Sequence, residues 1–263
     1  TTIQLENTDS VQNEGTIRLS SHIMQYANKP LISTHIQPTT IILNDSTWTI
    51  DEANIVYNAS EQRLDIHDFS LNTNYQMIAA NGSASKYATD SINVELRNID
   101  VQYLLSYTLA SEALSVQGPM TGRATLYSLF SMPIVEAQAY IPNAGLNNTY
   151  LGDLNASAYW DHPTNSIIIE GQAIDSTDHL VADVNGKVIP DKKWWGLDIK
   201  CDSIDIGLID FWTHDFFANP QGRACGDLQI FGQNHLTWVT TKLYGKNVQL
   251  MVPQIGATIQ FSD

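Results

Sequence analysis

The chain has 263 residues, 43% hydrophobic and 16% charged, which is enough to bury a large core as one extended β domain or two ordinary ones. A formal net charge of -15 with only 13 Lys and Arg leaves no cation cluster for phosphate contacts, so no nucleic-acid partner is expected. No run of about 18 apolar residues occurs, so no helix is expected to span a bilayer.

Taken in order, the chain reads as strands. Ile3-Gln4-Leu5 is followed by an Asn/Asp/Ser/Gly turn cluster through Gly15 and by alternating Thr16-Ile17-Arg18-Leu19. Pro38 and the Asn44-Asp45 pair break the next run, and Trp48 to Tyr57 carries β-favouring Trp, Thr, Ile, Val and Tyr. Asn58-Ala59-Ser60-Glu61 turns the chain into Leu64-Asp65-Ile66. From there strands recur about every 8 to 12 residues, as in an all-β domain. In Ile92-Asn93-Val94-Glu95-Leu96-Arg97, the apolar residues share one face and the polar residues the other. Val135, Ala137 and Ala139 repeat the pattern, as do Leu180, Ala182 and Val184, then Leu228 and Ile230, then Val248, Leu250 and Val252. Strict alternation predicts an antiparallel sheet with one apolar face. Two stretches have helical rhythm instead, Val101 to Ser106 and Ile206 to Phe211, with Asp100 and Asp205 placed as N-caps.

Order recurs along the chain. Gly222 and Gly226 lie 104 residues after Gly118 and Gly122, and Val239 and Tyr244 stand in the same relation to Val135 and Tyr140. Leu43-Asn44-Asp45 precedes Val56-Tyr57-Asn58 as Leu146-Asn147-Asn148 precedes Tyr159-Trp160-Asp161. These correspondences predict one repetitive β domain over 1–263, with units of 1–40 (partial), 41–145 and 146–263. Thr1 in place of Met, and the strand-like Ile259-Gln260-Phe261 at the other end, suggest a fragment of a longer protein.

Chemical signatures are sparse. No nucleophile elbow, zinc-protease, phosphate-loop or dinucleotide motif occurs. Asp183-Val184-Asn185-Gly186 lacks the ligand series of a calcium loop and reads as a hairpin turn, as does Asn81-Gly82. Asp65, His67 and Asp68 form the densest acid-histidine cluster, on what reads as a wet strand face. Cys201 and Cys225 lack metal or redox spacing; two buried thiols is the plainer reading, and a disulfide stays open. Trp194-Trp195 and Phe211-Trp212, with His214-Asp215 after them, are aromatic pairs that serve either packing or sugar stacking. No catalytic, cofactor or metal residue is assigned, and a non-enzymatic role is expected. The dry face either packs on a second sheet or curls into an apolar trough able to hold acyl chains, and periodicity does not choose between them.

The order of Asn44-Asp45 before Trp48, Gly82-Ser83-Ala84-Ser85 before Arg97-Asn98-Ile99-Asp100, Gly118 and Gly122 before Pro133, and Asn147-Asn148 before Leu151-Gly152-Asp153 and Trp160 resembles the TamB (translocation and assembly module) family, in the wider AsmA-like group of envelope proteins. The resemblance covers most of the chain. It implies an elongated, curved antiparallel sheet of repeated units, folded like a taco around an apolar groove, with short helical insertions. It also implies a periplasmic segment of an inner-membrane-anchored protein of a Gram-negative cell, its anchor outside this chain. Phospholipid would be its cargo, and an outer-membrane assembly protein a partner. Under that resemblance Ile92, Val94, Leu96, Val135, Ala137, Ala139, Ile167, Ile169, Leu180, Ala182 and Val184 would line the groove. The competing expectation is a structural or adhesive cell-surface β repeat that binds carbohydrate through Trp194, Trp195 and Trp212.

Overall fold

The computed structural model describes residues 2–5, 12–43, 45–87, 89–102, 115–131, 134–213, 215–233 and 236–261. It is all-β, with 75% strand and 6% helix, and among the described residues the helical segments are short. The strands in chain order are β1 (Thr2–Leu5), β2 (Glu14–Tyr26), β3 (Lys29–Ile36), β4 (Thr39–Leu43), β5 (Ser46–Ile50), β6 (Ala53–Asn58), β7 (Arg63–Asn72), β8 (Met77–Ala84), β9 (Ser91–Asp100) and β10 (Val116–Gln117). They continue as β11 (Pro119–Tyr127), β12 (Ile134–Leu146), β13 (Thr149–Asp161), β14 (Ser166–Ile174), β15 (Leu180–Ile189), β16 (Trp194–Asp205), β17 (Ala218–Gln233), β18 (Leu236–Val252) and β19 (Ala257–Phe261). Contacts divide the chain into two compact units, residues 1–99 with 121–137 and residues 100–120 with 138–263, so β11 and β12 contribute to both.

In the first unit β2 pairs antiparallel with β3, β3 with β6, β6 with β7, β7 with β8 and β8 with β9. A second route joins β2 to β7. Glu14 and Gly15 of β2 pair with Ile42 and Ile41 of β4, β4 pairs with β5, and Thr49 and Ile50 of β5 pair with Asn72 and Leu71 of β7. Six strands therefore close into a ring in the order β2-β3-β6-β7-β5-β4. The corners are Gln37-Pro38 and Asp51-Glu52, where the Gln37 amide donates to the Arg18 carbonyl (3.1 Å) and the Asp51 amide to that of Ser70 (3.1 Å). The run expected from Trp48 to Tyr57 is thus two strands, with Asp51 and Glu52 exposed at the bend between them. Trp48, Ile50, Ile36 and Ile41 are buried inside the ring.

Asn81-Gly82 and Asn185-Gly186 are not hairpin turns. Gly82 lies inside β8, opposite Ile66 at a bulge in β7 where Asp68 takes a left-handed φ of 58°. Its own φ is +125°, and a side chain there would run into the Ser91 carbonyl. Gly186 lies inside β15, where a Cβ would stand 2.7 Å from Leu197 Cδ2 and 3.0 Å from Ile169 Cβ. Both positions are glycine because a neighbour fills the space, and the turns fall elsewhere. The β14–β15 turn is organised by Asp175, whose Oδ1 accepts from the Thr177 amide (2.8 Å) and the His179 amide (3.1 Å).

The second unit is a run of antiparallel neighbours from β12 to β19, with β10 beside β12. Register stacks Ala156, Gly171, Val184, Ile199 and Leu228 in one row, and Ala158, Ile169, Gly186, Leu197 and Ile230 in the next. Leu228 and Ile230 have no exposed surface. Ile206 and Leu208, on the 3-10 turn Ile206–Ile209, are buried in the same core. Asp205 caps that turn as expected, its Oδ1 accepting from the Gly207 amide at 2.8 Å. Asp100 does the same for Gln102 at 3.0 Å, and Val101 is buried with Ile141 and Ala144. The expected helical stretch beyond Gln102 lies outside the described residues.

Candidate functional site

The ring of the first unit lines an apolar cavity of about 380 Å³ that is open to solvent on one side. Alternation on each strand aims every second residue into it: Ile17 and Leu19 from β2, Thr34 and Ile36 from β3, Ile41 and Leu43 from β4. Ile50 of β5, Ile55 of β6, and Phe69 and Leu71 of β7 complete the wall. Phe69 and Leu71 face inward because the bulge at Asp68 resets the phase after Ile66. Thr34 supplies the only hydroxyl among these lining residues, and it is hydrogen-bonded to Ser21 Oγ at 3.0 Å. Such a wall solvates hydrocarbon, and an unpaired charged group would pay several kcal/mol to enter it.

None of the residues expected to line a groove lines this cavity, although three share its face. Ile92, Val94 and Leu96 pair with Gly82, Ala80 and Ile78, which pair in turn with Ile66, Phe69 and Leu71. Ile92 is buried; Val94 and Leu96 are half-buried. Val135, Ala137 and Ala139 are half-buried on β12. In the second unit Ala182 is buried in the core with Val184 packed against it, and Ile167 and Ile169 are half-buried on β14, opposite Val188 and Gly186 of β15. Leu180 departs from the alternation. Register slips between Ala173 and Ile174, so Val181 and Ala182 are both buried and Leu180 is 41% exposed.

The acid cluster takes a different form from the one read along the strand. Asp65 pairs with Arg63 (2.9 Å) and accepts from Ser83 (2.5 Å), and Arg63 also binds Asp90 (2.8 Å) and Ser83 Oγ (2.8 Å). Arg63 is held protonated more firmly than usual, chiefly by the hydrogen bond to Asp65. His67 and Asp68 are exposed beside this network. Among the described residues no three His, Cys, Asp or Glu side chains group as a metal ion would need.

Cys201 and Cys225 are both free, Cys201 buried and Cys225 half-buried. Trp195 faces the core of the second unit, its indole filling the space above Gly232. Trp194 faces the other way and lies over Gly196, whose cross-strand neighbour Phe231 stacks on Trp238 with ring centres 5.6 Å apart. The Trp212 side chain and His214 lie outside the described residues. Among the described residues no helix is long and apolar enough to cross a membrane. Compared with known proteins, the chain matches no family model, no curated protein and no solved structure.

Proposed function

We propose that this chain is a non-enzymatic carrier segment that shelters an acyl chain of a phospholipid inside its β domain, as a periplasmic part of an envelope protein of the TamB or AsmA-like kind. The observation that carries the reading is the wall of aliphatic and aromatic side chains along about 380 Å³, in which Thr34, hydrogen-bonded to Ser21, is the one polar member. That volume is at the lower end of ligand pockets, so part of one tail enters and the headgroup stays in water. Repetition of the β unit is part of the same proposal. It is supported by the matching caps at Asp100 and Asp205 and by Gly118 and Gly222, which share φ values of +132° and +119°.

Native mass spectrometry of the purified chain, with analysis of its organic extract, tests the proposal. Co-purifying phospholipid or fatty acid is the expected result, together with binding of a fluorescent fatty acid by delipidated protein. Thr34→Trp, which fills the cavity, should cut that binding by at least tenfold. A chain that carries no lipid and binds no acyl probe would overturn the reading.

A second reading, a surface module that stacks sugars, draws on Trp194 lying over Gly196 beside the Phe231–Trp238 pair. Glycan-array binding lost in Trp194→Ala would favour it. An array with no signal for the native chain would remove it.

A further inference from the structure

Two turns of the second unit meet at one tip. The segment after helix α1 (Asp210–Thr213) carries Phe216 and Phe217, and the β18–β19 turn carries Ile255. The Gln254 side-chain amide donates to the Asp215 carbonyl, which joins the two turns, and just behind them Asn219 Nδ2 of β17 lies 4.0 Å from the Met251 sulfur of β18. Phe216 is 68% exposed, Ile255 71% and Phe217 39%. Scattered apolar residues on a surface need no explanation, but three large exposed ones on two turns that touch make an apolar patch.

The backbone at this tip separates a lipid surface from a strand-adding partner. The Phe216 and Phe217 amides both donate to the Thr213 carbonyl (2.8 and 2.7 Å), and those of Ile255 and Gly256 donate to Val252 and Pro253 (3.3 Å each). A turn that enters hydrocarbon must satisfy its own amides, because no water is there to do so. These four amides are already paired within the turns. A strand-adding partner would need free backbone donors, which these positions do not offer. From Phe216 to Pro220 and from Pro253 to Thr258 no side chain is charged, and the adjoining acid, Asp215, is exposed beside Phe216 in the same turn.

We infer that the Phe216–Phe217 and Ile255 turns form a membrane-docking tip that inserts into the interfacial region of a bilayer. With a net charge of -15 on the chain, the favoured surface is zwitterionic. This inference stands on the second unit alone and does not require the cavity of the first. Three side chains bind less strongly than one myristoyl chain, so half-binding is expected at lipid concentrations on the order of millimolar.

Flotation of the full chain with phosphatidylcholine vesicles over a millimolar lipid range tests it. The native chain should float, the double variant Phe216→Asp with Ile255→Asp should lose at least tenfold in partitioning, and Phe216→Trp should show blue-shifted, bromolipid-quenched fluorescence beyond that of the native tryptophans. Circular dichroism and the thermal midpoint of each variant confirm that it is folded, as expected for exposed positions. Native chain that stays at the bottom of the gradient, or a double variant that floats equally well, overturns the inference. Binding of a fluorescent fatty acid, measured on the same samples, reports the cavity separately and should be equal in native and variant chains.

Discussion

Cys201 stands opposite Gly226 across β16 and β17, so Cys225, one residue earlier on β17, points to the other face of the sheet. The two thiols are near in the fold and cannot meet, because neighbouring residues of a strand project to opposite sides. Cys201 is 7% exposed, and burial pushes its thiol up to about 11, with the charge of Asp227 adding to the effect. At pH 8 about a thousandth of it is thiolate, the form that reacts. Ellman's reagent should therefore find one fast thiol in the native chain and two in denaturant, and Cys225→Ser should remove the fast one. Fast labelling that survives Cys225→Ser would contradict this arrangement.

Gly82→Ala and Gly256→Ala separate strain from space. Both glycines have positive φ, +125° and +61°. A methyl at Gly256 meets nothing within 4 Å, whereas at Gly82 it meets the Ser91 carbonyl on the paired strand. The expected costs are about 1 kcal/mol at Gly256 and about 2–4 kcal/mol at Gly82, read from urea unfolding midpoints. Equal midpoints would mean that β8 yields opposite the β7 bulge.

The dry face was legible wherever a strand ran without a bulge. Ile92, Val94 and Leu96 share a face, and so do Ala182 and Val184, because period two is enough to place them. The pattern gave no warning at Leu180, since a bulge shifts phase by one residue and leaves composition unchanged. Asn-Gly misled at Gly82 and Gly186 because the pair also suits a strand position crowded by a neighbour. Ring closure was not legible at all. It depends on Gly15 meeting Ile41 and on Ile50 meeting Leu71, contacts between strands that are not hairpin partners, and alternation is blind to partner choice. Ile17 and Leu19 were visible as alternating residues, yet their role as cavity wall appears only once β4 and β5 close over them.

Asp153 gives a prediction for pH. Its carboxylate accepts from the Asn143 amide (2.8 Å) and from the Tyr140 hydroxyl (2.8 Å), and these bonds, the backbone one first, hold its pKa below the ordinary 3.8. A depressed carboxylate contributes stability above its unfolded pKa and loses that contribution as pH falls through the folded value. The Tyr140 pKa is raised by the same bond, so its contribution is present below about 10 and is lost as pH rises through the folded value. In an NMR titration, Tyr140→Phe should move the Asp153 midpoint upward while leaving it below 3.8, because the Asn143 bond remains. A midpoint unchanged by Tyr140→Phe would show that the hydroxyl bond is absent in solution.

Leu228 and Ile55 distinguish a packed core from a space kept open. Leu228 has no exposed surface and is surrounded by the core of the second unit, so Leu228→Ala should cost about 3–5 kcal/mol through lost transfer energy and the cavity left behind. Ile55 is half-buried and borders a cavity of about 380 Å³ that already exists. Truncating it enlarges that space and removes contacts on one side only, so Ile55→Ala should cost about 1–2 kcal/mol in delipidated protein. A fatty acid that binds only the folded chain raises stability by mass action, and saturating probe should lift the native midpoint, with a smaller lift in Thr34→Trp, whose cavity is filled. Chemical unfolding of the three variants, with and without the probe, reads all of these quantities. If Ile55→Ala costs as much as Leu228→Ala and the probe lifts no midpoint, the ring is packed as a core, and the proposal of a sheltered acyl chain fails with it.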